Sequence, residues 1–563
     1  MTPPLRGKRL LPRLAFGVVV LVLVVGAALL LFGGEGDVSN PDVTFKEGKE
    51  SALAPATGRV RGHPADDRFE WPVFGYKKSR TNFLPLRSTP RPPYRQAWAL
   101  RGRVLLEFSP VLCRRRVFLL KNNGALYAIS RLDGRVSWKR KLGTLAAASP
   151  ACSHGVVYAV LLERTRGSRA GRVVAISARD GHTRWSRRLP SRAEGSPLLD
   201  RGRLYIGSED GTVYALRARN GRIVWTTKGA GAVKGAIAYD SGKLYFGDYG
   251  GKLHAVRRSD GKKLWEVSAG GSGPLGLGDG NFYSTPAVRY GRVYIGNTNG
   301  EIYSFSSSDG KLAWRKSTGD YVYASPAVGQ VRGGSPTVYI GSYDGHFYAL
   351  DARTGRTRWV RALGPKISGG ATVIGDLVFV SDLDKRTTWA LGARTGATHW
   401  KTHRGAFNPA ISDGRRIYFT AYSSLFALDP VGHPFDRRPK DARQRHAAQR
   451  RAAARRGAAR RRAAARRRAI GRRVAARRRA IGRRVAARRH AAAHRAAVRI
   501  RAARRSRARK ARQLKYRTAP HGHHHSHRKG GPPRCHRHRH VYNVRGKRIV
   551  LRHNHCHTHL RRR

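Results

Sequence analysis

Tryptophan sets the frame of this chain. Trp98, Trp138, Trp185, Trp225, Trp265, Trp314, Trp359 and Trp400 follow one another at intervals of 40, 47, 40, 40, 49, 45 and 41 residues. A period of about 40–50 residues points to a propeller or a solenoid before any other architecture. Each of the last seven tryptophans stands four residues after the glycine of a turn-like pair, from Asp133-Gly134 to Thr395-Gly396. Asp-Gly and Asn-Gly pairs tolerate positive φ and close tight hairpins. Upstream lie short alternating runs such as VYALR at 213–217 and IYSFS at 302–306, then an earlier strand such as RLYIG at 203–207. Many units open on a small residue and proline, as at Ser149-Pro150, Ser196-Pro197, Thr285-Pro286 and Ser325-Pro326.

One unit therefore reads as four antiparallel strands ending at tryptophan, which is a propeller blade. Seven units run complete to their tryptophan, and an eighth stops at Asp429 without one. The missing strand stands at the other end, as YRQAWAL at 94–100, and it would close the ring by completing the last blade. The fold class expected is all-β: an eight-bladed propeller over 94–430, with 69–93 as its lead-in. A tryptophan fixed at one place in every blade is expected to pack between blades, since burying a large aromatic stabilises each interface.

The repeat after an x-Y-A-L strand, A-x-x-x-x-G-x-x-x-W, resembles the tryptophan-docking repeat of the pyrroloquinoline quinone (PQQ) propeller family. That resemblance implies two functional classes: dehydrogenases holding PQQ and Ca²⁺ on the propeller axis, and non-enzymatic scaffolds such as a subunit of the outer-membrane β-barrel assembly machinery. A dehydrogenase of the family would carry an adjacent cysteine pair against the quinone. Here Cys113 and Cys152 stand apart, and the acidic residues of the blades are mostly turn aspartates. A Ca²⁺ site needs several oxygens converging at one place. The expectation is a binding or scaffolding module without cofactor, with a PQQ-dependent oxidoreductase and a membrane-tethered sensor of cell-wall ligands as the alternatives.

Cys113 and Cys152 follow the Ser-Pro of neighbouring units but one position out of register, which would send them to opposite faces of their strands. No disulfide between them is expected. The glycine cluster at 270–280 follows Trp265 and precedes no helix, so it reads as a rim loop and not a phosphate cradle.

The two ends are different objects. Residues 14–32 carry no charge over nineteen positions, with Arg6, Lys8, Arg9 and Arg13 before them and Glu35 and Asp37 after. At about 1.5 Å per residue this spans a bilayer. The flanking charges place residues 1–13 in the cytoplasm and the rest outside, with a transmembrane signal-anchor at 14–34 and a linker at 35–68.

The charge is concentrated at the other end. The chain of 563 residues has 113 Lys and Arg against 33 Asp and Glu, and residues 437–563 hold 47 of the former and only Asp441 of the latter. Residues 437–517 are almost all Arg and Ala, with an 11-residue unit, AIGRRVAARRR, repeated at 480–490. Such a segment is expected to stay disordered until an anion neutralises it and then to become helical. It is either a solvated tail without a defined partner or an electrostatic anchor to cell-wall polymers, anionic lipid or nucleic acid. Within the His-rich end, 519–563, Cys535, His536, His538, His540, His553, His555, Cys556, His557 and His559 flank an alternating segment. They are candidate ligands for Zn²⁺, which is held by four such groups, although the spacing matches no standard finger.

Overall fold

The computed structural model describes residues 37–47, 70–163, 170–270, 280–405, 407 and 410–432, scattered helical positions between 458 and 501, and the backbone strands Cys535–Val544 and Lys547–Cys556. The expected anchor at 14–34 and the glycine stretch 271–279 lie outside the described residues. Among the described residues no helix is long and apolar enough to cross a membrane.

Within the first unit of the chain, 1–439, the described residues form an eight-bladed propeller of four-stranded antiparallel blades. Blade 3 shows the pattern: Leu198–Asp200 innermost, then Arg203–Gly207, Thr212–Arg217 and Ile223–Lys228 outermost. Blade 8 is built from both ends of the unit. Tyr94–Leu100 forms its outer strand beside Leu425–Pro430, Ile417–Thr420 and Ala410–Ser412. The seam between blades 8 and 1 carries a buried ion pair, Arg131 to Asp413 at 2.8 Å.

Seven of the eight seams share one contact; between blades 7 and 8 Trp400 meets Tyr94 instead, with centroids 5.3 Å apart. A Cβ placed on Gly134, Gly181, Gly221, Gly261, Gly310 or Gly355 would lie 2.6–2.9 Å from an atom of Trp98, Trp138, Trp185, Trp225, Trp265 or Trp314 of the preceding blade, or of its immediate packing neighbour. Only glycine admits the indole there, and each of these glycines also has positive φ. The indole N–H groups of Trp98, Trp138, Trp185, Trp225, Trp314 and Trp359 donate to backbone carbonyls of the next blade at 2.9–3.2 Å. Each ring also meets an aromatic of its own blade, such as Tyr294 against Trp314 at 5.9 Å between centroids.

The apolar residues follow the same logic. Val111 and Phe118 of blade 1 cluster with Cys152, Val157 and Ala159 of blade 2, whereas Leu112 and Val117 cluster with Ile417 and Phe419 of blade 8. Opposite faces of neighbouring blades therefore face each other across a seam. This corrects the expectation for the cysteines. Cys113 shares the Val111 face of blade 1, Cys152 occupies the facing side of blade 2, and the two are joined in a disulfide with Cα atoms 6.5 Å apart. Being one residue out of register is what lets them meet.

The lead-in does more than precede the ring. Residues 71–82 run along the inner edges of the innermost strands and accept or exchange their free N–H bonds blade by blade. Trp71 pairs with Leu112 of blade 1, the Cys152 N–H donates to Pro72, Tyr239 to Lys78, Val288 to Ser79, Val328 to Thr81 and Val373 to Asn82, all at 2.8–2.9 Å. Arg80, 0% exposed, donates from Nε to the Ile237 carbonyl and from a terminal nitrogen to that of Ser196. Tyr76, Arg80 and Asn82 hold positive φ, a strain tolerated only where the surroundings over-determine it. The chain thus plugs its own axis.

Part of the expected linker is docked. Val38–Ser39 pairs with the outer strand of blade 5, Val43 is buried, and Phe45 stacks on Tyr290 with centroids 5.1 Å apart.

In the second unit, 440–563, residues 491–499 are helical. Cys535–Val544 and Lys547–Cys556 form a two-stranded antiparallel ribbon.

Candidate functional site: the mouth of the propeller

The loops that carry the chain from the outer strand of one blade to the inner strand of the next emerge at the same end as the turns between second and third strands. Alternating strand direction requires this. The two sets are tied together: the N–H groups of Glu209, Tyr249, Thr298, Tyr343 and Leu383 donate to the carbonyls of Arg192, Ala232, Asn281, Tyr321 and Lys366. The small residue before each proline holds the neighbouring loop. The Ser149 N–H donates to Ser196 Oγ at 2.9 Å, Ala236 to Thr285 Oγ1 at 3.0 Å and Thr285 to Ser325 Oγ at 3.1 Å.

Against this repeated scaffold one position varies freely, the third before the proline or its equivalent. It is Glu107, Ala147, Glu194, Lys234, Tyr283, Tyr323 and Ser368 in blades 1 to 7; the eighth, residue 406, lies outside the described residues. A ring position that the repeat does not dictate is where selection for something other than folding can act.

Two kinds of chemistry meet there. Lys234 Nζ lies 3.6 Å from Glu194 and 3.9 Å from Glu209, and Arg192 Nε lies 3.7 Å from Glu209. Burial pushes the Glu194 carboxyl up to about 7, with Glu209 adding to the rise and Lys234 opposing it. Burial likewise raises Glu107 against the hydrogen bond that it accepts from Asn122 at 2.8 Å. Beside these groups runs an unbroken path of tyrosines: Tyr249 to Tyr283 at 6.2 Å, Tyr283 to Tyr323 at 5.6 Å, Tyr323 to Tyr343 at 4.8 Å, and Tyr321 against Tyr323 at 5.8 Å. Lys234 and Lys366 cap its two ends over Tyr249 and Tyr343. Burial raises the Tyr283 phenol, and the negative charges of Glu107 and Glu194 add to the rise. Tyr321 is nevertheless 49% exposed.

The residues do not fit a quinone with Ca²⁺. Glu194 and Glu209 are already matched by Lys234 and Arg192, and a Ca²⁺ site needs several more oxygens converging beside them. Among the described residues no three His, Cys, Asp or Glu side chains converge as a metal site. Cys113 and Cys152 are spent in a bond between two blades.

The sequence candidates lie elsewhere. All eight repeat tryptophans sit in the blades, away from the mouth loops. In the C-terminal ribbon Cys535 stands opposite Cys556, His536 opposite His555 and His538 opposite His553, while His540 pairs with Leu551; His557 and His559 lie outside the described residues. None of the mouth residues was singled out by sequence reasoning. Aligning the units on their prolines is the signal that finds them.

The eight blades and their repeated tryptophan contacts define a PQQ-type propeller. The family model of the outer membrane protein assembly factor BamB matches residues 122–276, 275–362 and 329–520, and the chain belongs to that family. Among solved structures it is similar to BamB from Moraxella catarrhalis, with 19% identity over 60% of this chain and 99% of that one and a TM-score of 0.49. It is also similar to the quinohemoprotein alcohol dehydrogenase ADHIIG from Pseudomonas putida HK5, with 16% identity, 65% of this chain, 81% of that one and a TM-score of 0.54. A europium-containing methanol dehydrogenase aligns with 13% identity, 65% of this chain, 99% of that one and a TM-score of 0.54. At these identities the dehydrogenases share the fold alone. No curated protein matches the chain.

Proposed function

We propose that this protein is a scaffold that docks a protein partner on the mouth of its propeller, held outside the cytoplasmic membrane by the apolar segment 14–34. The observation that carries the reading is the tyrosine path from Tyr249 to Tyr343, partly open to solvent on an otherwise repeated frame. Tyrosine supplies large contact area at low entropic cost and is enriched where binding energy concentrates. Membership of the assembly-factor family supports a binding role, and the paired state of Glu194 and Glu209 supports one without chemistry at the axis. The basic segment 437–517 serves as a second, non-specific attachment to anionic polymer or lipid through counterion release. Zn²⁺ at the His/Cys end belongs to the same reading as an accessory ligand.

The test uses the full chain with Tyr321, Tyr323 and Tyr343 changed to Ser. The triple variant should melt within a few degrees of the wild type and lose co-purification of its partner from membranes. Retained co-purification overturns the docking site. Stoichiometric PQQ uptake, or dye reduction that depends on added PQQ, overturns the scaffold reading in favour of an oxidoreductase.

A further inference from the structure

A cavity of about 720 Å³ opens at the other end of the propeller, between blades 6, 7 and 8, and its walls include Arg87, Arg91, Arg332, Arg394, Thr89 and Asp376. That volume is in the range of small-molecule sites. Its floor is fixed: the Asp376 N–H donates to Thr89 Oγ1 at 3.0 Å, the Thr89 hydroxyl donates back to the Asp376 carboxylate, and a Cβ on Gly375 would lie 2.1 Å from Thr89 Oγ1. The Val431 N–H ties the opposite wall to the Pro93 carbonyl at 2.8 Å.

The charges in the cavity do not balance. Four guanidiniums share it with one carboxylate, and that carboxylate is taken by Arg91. Among the described residues Arg87, Arg332 and Arg394 make no hydrogen bond or ion pair. Arg87, Arg332 and Arg394 are exposed at the rim of one depression, and an anion placed among them would be attracted by all three. Each guanidinium offers a planar fork of donors. A carboxylate presents two oxygens in a single plane. A phosphoryl group presents three free oxygens around a tetrahedron and can meet forks arriving from different directions.

We propose that this cavity binds a phosphoryl group, carried by a soluble phosphate ester or by a lipid headgroup, with Arg87, Arg332 and Arg394 as its ligands. The site is independent of the docking surface at the mouth.

The test reads arginines one by one in the full chain. Phenylglyoxal modifies free guanidiniums, and peptide mass spectrometry gives the rate at each residue. The probe is inorganic pyrophosphate at roughly physiological ionic strength, where surface charges are screened beyond about 8 Å. Arg87, Arg332 and Arg394 should be protected with one common midpoint. Arg201 and Arg219, equally exposed but on blade 3, should not be protected at that concentration. In an Arg332→Ala/Arg394→Ala variant the midpoint read at Arg87 should rise at least about tenfold, since charge-assisted bidentate bonds are lost. Protection by phosphatidic acid vesicles, whose headgroup is a phosphate monoester with three free oxygens, and not by pyrophosphate assigns the group to a headgroup. Protection by neither, equal protection of the control arginines, or equal protection by citrate overturns the proposal.

Discussion

The seams between blades and the ring at the mouth lie on the same polypeptide repeats, yet they obey opposite rules. At seven of the eight seams the same pair recurs, an indole against a positive-φ glycine, because these interfaces exclude water in the same geometry. At the mouth the corresponding position is glutamate, alanine, lysine, tyrosine or serine, because nothing in the fold requires any of them. Repetition in this chain marks what the fold requires, and departure from it marks the positions that the fold leaves open. Tyr323 lies only nine residues from Trp314, so proximity in sequence says nothing about which rule applies.

The largest contrast should come from truncation. Removing residues 1–102 takes away the plug at 71–82 and the strand Tyr94–Leu100, exposing the edge of Leu425–Pro430 and the inner edges of several blades, and the product should aggregate. Removing 1–69 costs only the patch around Val43 and Phe45 and should leave a soluble propeller. Gel filtration of the two truncations checks this, and equal behaviour would break the closure account.

Point variants should repeat the contrast on a smaller scale. Trp314→Ala empties a fully buried seam and should cost about 3–5 kcal/mol. Gly355→Ala places a Cβ at 2.8 Å from Trp314 with φ at +77° and should cost about 1–3 kcal/mol. Tyr323→Ser, at the mouth, should cost less than about 1 kcal/mol. Chemical denaturation of the three proteins ranks them.

The same two regions should respond to pH with opposite slopes. At the seam between blades 8 and 1, burial works to raise the Asp413 carboxyl, but Arg131, the Arg416 N–H and the Tyr418 hydroxyl hold it below the usual carboxylate range. Its contribution is present above the unfolded pKa of about 4 and lost as the pH falls through the lower folded value. Glu194 at the mouth is raised from 4.5 to about 7, so its contribution is present below 4.5 and lost as the pH rises through about 7. Stability curves should therefore flatten at acid pH in Asp413→Asn and between pH 5 and 7 in Glu194→Gln. The second effect is the smaller, about 1 kcal/mol once solvent screening is allowed for.

The architecture was largely legible in the sequence. Eight tryptophans in register, turn glycines four residues before seven of them, and an orphan strand at 94–100 specify the ring and its closure, since each is a local consequence of blade geometry. What escaped the reading depends on contacts between repeats. The Cys113–Cys152 bond was missed because face alternation was applied within one sheet, whereas stacked blades present opposite faces to one another. The plug carries no period, because its residues pair with a different blade almost one by one. The Glu194–Lys234 contact and the Tyr283–Tyr323 step of the tyrosine path each join residues 40 positions apart, and only the stacked blades bring them together.

The central claim is that the mouth, and not the blade exterior, is the docking surface. Photo-cross-linking in intact cells from a single reactive residue tests it directly, comparing position 323 at the mouth with position 264, an exposed leucine on an outer strand. The account predicts one discrete protein adduct from position 323, absent from position 264 and abolished by Tyr321→Ser/Tyr343→Ser in the same chain. Adducts of equal yield from both positions, or none from position 323 in a folded protein, would contradict it.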